Sequence, residues 1–246
     1  MAEPNKELLL AVLIDADNAS PKPIKQVMEE ISNYGIPIYK RIYGDWSSPH
    51  LKGWKDVLNE HAIIPVQQFA YTTGKNSTDS ALIIDAMDLL HGGNVDGFVI
   101  VSSDSDFTKL STRLREGRKK VYGIGEKKTP TSFRNACDKF VFVEVLAPPP
   151  PSSGRTSGKL QHTPPVQGPD EELRRLVTTT IQDMTDDSGW IALGGLGTGL
   201  LKKQPEFDAR NYGYKRLSDL MRALPYVAVE TREMSSGNKH DYVRLK

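Results

Sequence analysis

Two short apolar runs, each ending abruptly in paired carboxylates, constrain this chain more than anything else in it. Residues 8–14 run into Asp15-Ala16-Asp17-Asn18, and residues 97–101 run into Ser102-Ser103-Asp104-Ser105-Asp106. Uninterrupted apolar runs of this length, the second of them β-branched, read as strands buried on both faces of a parallel sheet. Behind Asp106 the apolar residues Phe107, Leu110 and Leu114 recur at helical spacing, so the second stretch reads as strand, turn, helix. Pro21, Pro23 and a helical pattern follow the first. Ligands of open α/β sheets bind just beyond the carboxyl ends of the strands. If the two strands are neighbours, Asp15, Asp17, Asp104 and Asp106 converge, and carboxylates that close repel unless protonated or bridged by a cation. An all-oxygen ligand set suits a hard divalent ion, Mg²⁺ or Mn²⁺ rather than Zn²⁺. Asp15 and Asp17 share a face only if the strand continues; a turn leaves Asp15, which ends the strand, as the better ligand.

The rest of the first 147 residues alternates between the two periodicities. A stripe of Ile24, Val27, Met28 and Ile31 predicts a helix, residues 36–43 a strand, and Ser48-Pro49 opens a helix carrying Leu51, Trp54, Val57 and Leu58. Residues 62–69 read as a strand, 71–79 as a polar loop, and Leu82, Ile83, Ala86, Leu89 and Leu90 as a helix face. Residues 119–123, 131–137 and 140–146 complete the pattern as strand, helix and strand. Such alternation predicts βαβ units, a parallel sheet sandwiched by helices. Residues 148–169 are rich in Pro, Ser and Gly and read as a linker between domains 1–147 and 170–246. The second domain reads as a helix over residues 173–184, a shorter helix or turn over 196–203, and a third helix begun by Lys215 and Arg216. A hairpin of 227–230 with 242–245 follows, and three helices before a hairpin make a small winged-helix domain. The glycine run at 194–197 lacks the lysine and serine of a phosphate loop and reads as a tight helix junction.

Composition excludes several classes. The net charge is +1, and in residues 170–246 twelve basic and twelve acidic side chains cancel, so nucleic-acid binding would need local patches. A single cysteine, Cys137, rules out an internal disulfide or a cysteine-rich zinc site and reads as a packing position. No apolar run is long enough to cross a membrane, and the N-terminus lacks a signal-peptide layout, so a cytoplasmic location is expected.

Three segments then carry a resemblance. Leu13-Ile14-Asp15-Ala16-Asp17-Asn18, Thr78-Asp79-Ser80-Ala81-Leu82-Ile83-Ile84-Asp85 and Val101-Ser102-Ser103-Asp104-Ser105-Asp106-Phe107 resemble the signature segments of NYN domains. These are PIN-like nucleases, and the likeness is to their bacterial LabA-like branch. The C-terminal domain resembles a LOTUS (OST-HTH) domain, on Leu196-Gly197, Tyr214-Lys215-Arg216-Leu217-Ser218-Asp219-Leu220 and the terminal hairpin. The resemblance implies a PIN-like (Rossmann-like) sheet of order 3-2-1-4-5, Mg²⁺-dependent hydrolysis of RNA, and an RNA-binding winged helix. It implies Asp15, Asp79 and Asp104 as the core metal ligands, with Asn18 and Asp106 assisting directly or through water.

Each residue has a plainer alternative. Asp79 could cap its helix, and Asp104 or Asp106 the helix behind it. Asp85 lies about 240° around the helix from Asp79, so with Asp17 and Ser102 it is expected to support the ligands or a loop. Ser103, Lys75 and Arg134 are candidate phosphate contacts near the site, and Lys215 and Arg216 in the second domain. Lys109, Arg113, residues 118–120, Lys127 and Lys128 could guide a polyanion or be solvated surface. Tyr43, Trp46 and Tyr71 could stack on bases, and Tyr43 could equally be packing. Single-stranded RNA is the expected partner, with a homodimer and a protein partner at the winged helix left open. The alternative to a ribonuclease is a non-catalytic RNA-binding or regulatory adaptor.

Overall fold

β1 (Leu9–Asp15) is apolar throughout because it lies at the centre of a sheet: Leu10 to Ile14 are wholly buried. The computed structural model describes residues 7–69, 77–92, 94–146, 171–185, 189–233 and 239–246. The polar loop at 70–76, with Tyr71 and Lys75, the expected linker and the hairpin tip at 234–238 lie outside the described residues. The chain divides into two units, Met1–Pro148 and Pro149–Lys246.

In the first unit β1 is followed by α1 (Ile24–Ser32), β2 (Ile36–Gly44), a 3₁₀ turn (Pro49–Trp54), α2 (Lys55–His61) and β3 (Ile64–Gln67). Then come α3 (Ser77–Gly92), β4 (Gly97–Val101), α4 (Phe107–Glu116), β5 (Lys120–Gly125), α5 (Thr131–Ala136) and β6 (Lys139–Phe142). All six strands are parallel, in the order β3-β2-β1-β4-β5-β6. The expected neighbours β1 and β4 are adjacent, and the five-strand order is extended by β6 at the far edge. β6 stops at Phe142, short of the expected residue 146, because its partner β5 ends opposite it at Gly125. A 3₁₀ turn (Val143–Val145) takes over.

Alternate residues of the central strands serve opposite layers, as the strand period requires. Ala11, Leu13, Phe98 and Ile100 pack with Leu82, Ala86, Phe107 and Phe133 of α3, α4 and α5. Leu10, Val12, Ile14 and Val99 pack with Val27, Ile31, Leu51 and Trp54 on the other side. Gly123 lies where β5 and β6 leave no room: a Cβ there would come within 2.4 Å of the Phe140 ring and 2.8 Å of the Cys137 sulfur. Gly123→Ala is therefore expected to cost about 1–3 kcal/mol, read as a lowered denaturant midpoint. Cys137 is buried, its thiol pushed up to about 12 by desolvation, which agrees with packing rather than reactivity.

The second unit contains α6 (Glu171–Met184), β7 (Ile191–Ala192), α7 (Leu193–Lys203), a 3₁₀ turn (Ala209–Tyr212), α8 (Leu217–Ala223), β8 (Val227–Glu233) and β9 (Lys239–Leu245). Three expectations change. The hairpin is longer and gains a third strand, giving an antiparallel sheet β7-β9-β8; two residues are too few to show a period. The glycine run lies inside α7, not at a junction, and Gly199 brings α7 against Thr180 and Met184 of α6 where a Cβ would not fit. Lys215 and Arg216 precede α8; the backbone at Arg216 is extended, the ordinary conformation of a residue that opens a helix.

Candidate functional site

Sheet register sets the site. β1 and β4 pair Ile14 with Val101, so the next position brings Asp15 beside Ser102 on the face covered by α3. Asp15 is fully buried there and accepts four hydrogen bonds. Its Oδ1 takes the backbone N–H groups of Asp17 (3.0 Å) and Asn18 (3.2 Å). Its Oδ2 takes the Asn18 amide (2.9 Å) and the Ser102 hydroxyl (2.8 Å). A carboxylate has about four acceptor sites, so these donors use them up. The strand breaks at Asp15, and Asp17 and Asn18 fold back on it as exposed turn residues. Burial raises the Asp15 carboxyl above its usual range in spite of the donors.

Ser102 carries the connection onward, its Oγ accepting from the Asp104 backbone N–H at 3.0 Å. Asp104 Oδ1 in turn accepts from the backbone N–H of Asp106 at 2.9 Å. Thus Asp104 shapes the turn into α4, while Asp106, at the first helical boundary, makes no side-chain cap bond there. Asp79 enters from the first turn of α3. Carboxylate oxygens of Asp79, Asp104 and Asp106 all lie within 4.8 Å of one another. A helix N-terminus favours negative charge, yet the Asp79 carboxyl is pushed up to about 6, first by burial and then by Asp15, Asp104, Asp106 and Asp17. Burial and the crowding of like charge together outweigh the helix.

The sign of the pH effect follows. The folded-state value, about 6, exceeds the ordinary aspartate value, 3.8, so the folded protein holds this proton more tightly. The penalty for ionising Asp79 is absent below about pH 4 and fully present above about pH 6. Asp79→Asn is therefore expected to raise the melting temperature of the metal-free protein by about 2–4 °C near neutral pH and to leave it unchanged near pH 4. Melting curves in chelator across that range check it.

Three carboxylates, one from the first turn of α3 and two from the turn into α4, are the donor set a hard divalent cation takes. Oxygens on opposite sides of one Mg²⁺ are about 4.2 Å apart, so a cluster reaching 4.8 Å fits such an ion after a small contraction or with one water between. Among the described acidic residues Asp15 is not a member of this cluster. Asp106 is.

The remaining expected residues divide. Asp85 points to the sheet, accepting from Arg41 and the buried Tyr43 hydroxyl, so it holds α3 to β2. Burial first, and then that contact, raise the Tyr43 hydroxyl far above its usual range, and the burial removes Tyr43 as a stacking ring. Arg41, which sequence reading passed over, was visible as a charge on the inward-facing parity of a strand. Ser103 Oγ accepts from the Glu126 backbone N–H (2.9 Å) and so ties β4 to the loop after β5. Arg134 donates to Thr131 (2.7 Å) and lies over the Phe142 ring. Trp46 is half-buried, its indole N–H bonded to the Val66 carbonyl at 3.0 Å. Several expected cations have partners, Lys128 with Glu126, Arg113 with Glu116 and Lys120 with Asp138, although exposed pairs of this kind contribute little. Lys109 is exposed. A cavity of about 30 Å³ beside the strand ends, bordered by Asn18, Ser103 and Glu126, has room for a water and not for a small-molecule substrate.

Residues 9–144 match the model of the NYN domain family, and residues 165–239 that of the OST-HTH/LOTUS domain. No curated protein matches the chain. Among solved structures, the chain is similar to a protein of unknown function from Vibrio parahaemolyticus RIMD 2210633, 18% identical, covering 56% of this chain and 94% of that one, with a TM-score of 0.48. It is similar to an uncharacterized protein of Nitrosomonas europaea, 34% identical over 41% of this chain and 89% of that one, TM-score 0.28. A Chromobacterium violaceum protein is 36% identical over 30% of this chain and 78% of that one, TM-score 0.26. No described helix is long and apolar enough to cross a membrane.

Proposed function

Because this chain belongs to the NYN domain family, we propose that it is a metal-dependent ribonuclease. In this reading Asp79, Asp104 and Asp106 hold a Mg²⁺ or Mn²⁺ ion, and the OST-HTH/LOTUS segment recruits single-stranded RNA. The observation that carries it is the carboxylate cluster itself, in which burial, and then the neighbouring carboxylates, push Asp79 up to about 6. When bound, the ion neutralises charge on the attacked phosphodiester and lowers the pKa of a water it holds. The exposed Asp106 takes up the proton released by the attacking water. Asp15, through Ser102, fixes Asp104, and Asn18 and Asp17 close the turn around Asp15. Asp85 keeps α3, and with it Asp79, at a fixed height over the sheet. Arg134 and Ser103 line the approach of the substrate backbone, Lys75 is a further phosphate contact in this reading, and Lys215 and Arg216 contribute in the second domain. Placing cleavage and recruitment on one chain, across a linker of residues 148–169, raises the local RNA concentration at the cluster. A cytoplasmic location belongs to this reading.

The test is incubation of labelled single-stranded RNA with the full chain and Mg²⁺ or Mn²⁺. Cleavage that chelator abolishes is expected. RNA that stays intact with either metal, while binding persists, would instead identify a non-catalytic RNA-binding adaptor.

A further inference from the structure

The outward face of the C-terminal sheet carries a row of arginines and aromatic rings that the ribonuclease reading leaves unused. Its ladders put Tyr242 opposite both Ala192 and Glu230, Arg244 opposite Ala228, and His240 opposite Arg232. Residues paired in this way share a face, and the alternate set, Ile191, Val243, Val229 and Leu245, faces the core. Trp190, one residue before Ile191, falls with the outward set. On that face the Arg244 guanidinium lies 4.7 Å from the centre of the Trp190 ring. The Arg232 guanidinium lies 4.9 Å from Trp190 and 4.7 Å from Tyr242. Arg244, Trp190, Arg232 and Tyr242 therefore form one connected row across three strands, and Ala192 and Ala228 leave it unobstructed.

One such contact is ordinary surface packing. A connected row is different in two respects. Stacking against rings fixes the guanidinium planes, so their N–H edges meet an anion with little further entropy to lose. The charge is also incompletely matched: Glu230 pairs with Arg232 at 3.0 Å, and Arg244 has no carboxylate partner among the described residues. Beside the row, α7 starts directly after Ala192 with no side-chain cap, leaving backbone donors at the edge of the same sheet. Cation and ring alternate along the row, and a single nucleic-acid strand offers phosphates for the one and bases for the other.

We propose that this face binds single-stranded RNA, with Trp190 and Tyr242 stacking on bases and Arg232 and Arg244 holding phosphates. The proposal rests on the reading that the second domain recruits RNA, and names the surface that does it.

The full chain is titrated, in chelator to prevent cleavage, against a fluorescein-labelled single-stranded RNA of about 12 nucleotides and followed by anisotropy. Combining Arg232→Gln with Arg244→Gln is expected to weaken binding about tenfold or more and to flatten the salt dependence by about 1.4 in log–log slope. Trp190→Ala is expected to weaken binding at least about fivefold, while Trp190→Phe, which keeps a ring, retains most of it. Lys215→Gln with Arg216→Gln is expected to weaken binding less than the Arg232 and Arg244 pair does. Should Trp190→Ala fail to fold, ultraviolet crosslinking of the unaltered chain to the same RNA decides: adducts on Trp190 or Tyr242 support the proposal, and adducts confined to the segment around Lys215 overturn it. RNA binding that survives all the sheet-face substitutions overturns this surface and leaves RNA recruitment standing. An unaltered chain that does not bind RNA overturns both and leaves the face to a protein partner.

Discussion

Asp104→Asn is expected to lower the rate of Mn²⁺-dependent RNA cleavage by at least about a hundredfold, with fold and RNA binding kept. The substitution is nearly isosteric. Asparagine retains the Oδ1 that accepts from the Asp106 backbone, and the Asp104 backbone N–H still reaches Ser102. What is lost is one of the three charges gathered within 4.8 Å, and with it much of the attraction for a divalent ion. Cleavage rates at matched Mn²⁺ concentrations, with circular dichroism to verify folding, provide the measurement. A variant that cleaves at the unaltered rate would place the chemistry elsewhere.

Asp15→Ala should do its damage before any metal is added. Four donors lose their acceptor at once, among them the hydroxyl of Ser102, which is 1% exposed. Water can reach the exposed turn at Asp17 and Asn18 but not Ser102, and removing a buried carboxylate returns part of the loss, since burial already penalises its charge. A net cost of about 2–4 kcal/mol follows, or about 5–15 °C in melting temperature. The sign is the informative part. If Asp15 served only as a metal ligand, its removal would relieve repulsion at Asp79 and stabilise the metal-free protein. If it is the hub the hydrogen bonds describe, the metal-free protein melts earlier. Calorimetry in chelator separates the two.

The strands of the first domain were legible because the central ones are apolar on both faces, and the turn after each because carboxylates do not continue a buried strand. Adjacency of β1 and β4 then placed the acids at one edge. What spacing could not show was how the acceptors would be shared. Asp15 looks like the natural ligand in sequence because it ends its strand, yet that position is where two backbone N–H groups, an amide and a hydroxyl converge on it. Asp106, expected to assist the metal with a helix cap as its plainer alternative, lies in the cluster. Asp79 was legible only through its motif, since a first-turn carboxylate is ordinary. Asp85 reaches Arg41 and Tyr43 through strand parity and helix placement together, which neither pattern shows alone. The row from Arg244 to Tyr242 depends on the pairing of β7 with β9, and a two-residue strand leaves no trace in periodicity.

The central claim is that Asp79, Asp104 and Asp106 share one divalent cation. Anomalous diffraction at the manganese edge, from crystals of the full chain soaked in Mn²⁺, tests it most directly. The account requires a peak bounded by those three carboxylates, with Asp15 still bonded to Ser102 behind them. A peak held by Asp15 instead, or no peak at that edge of the sheet at saturating Mn²⁺, would contradict it.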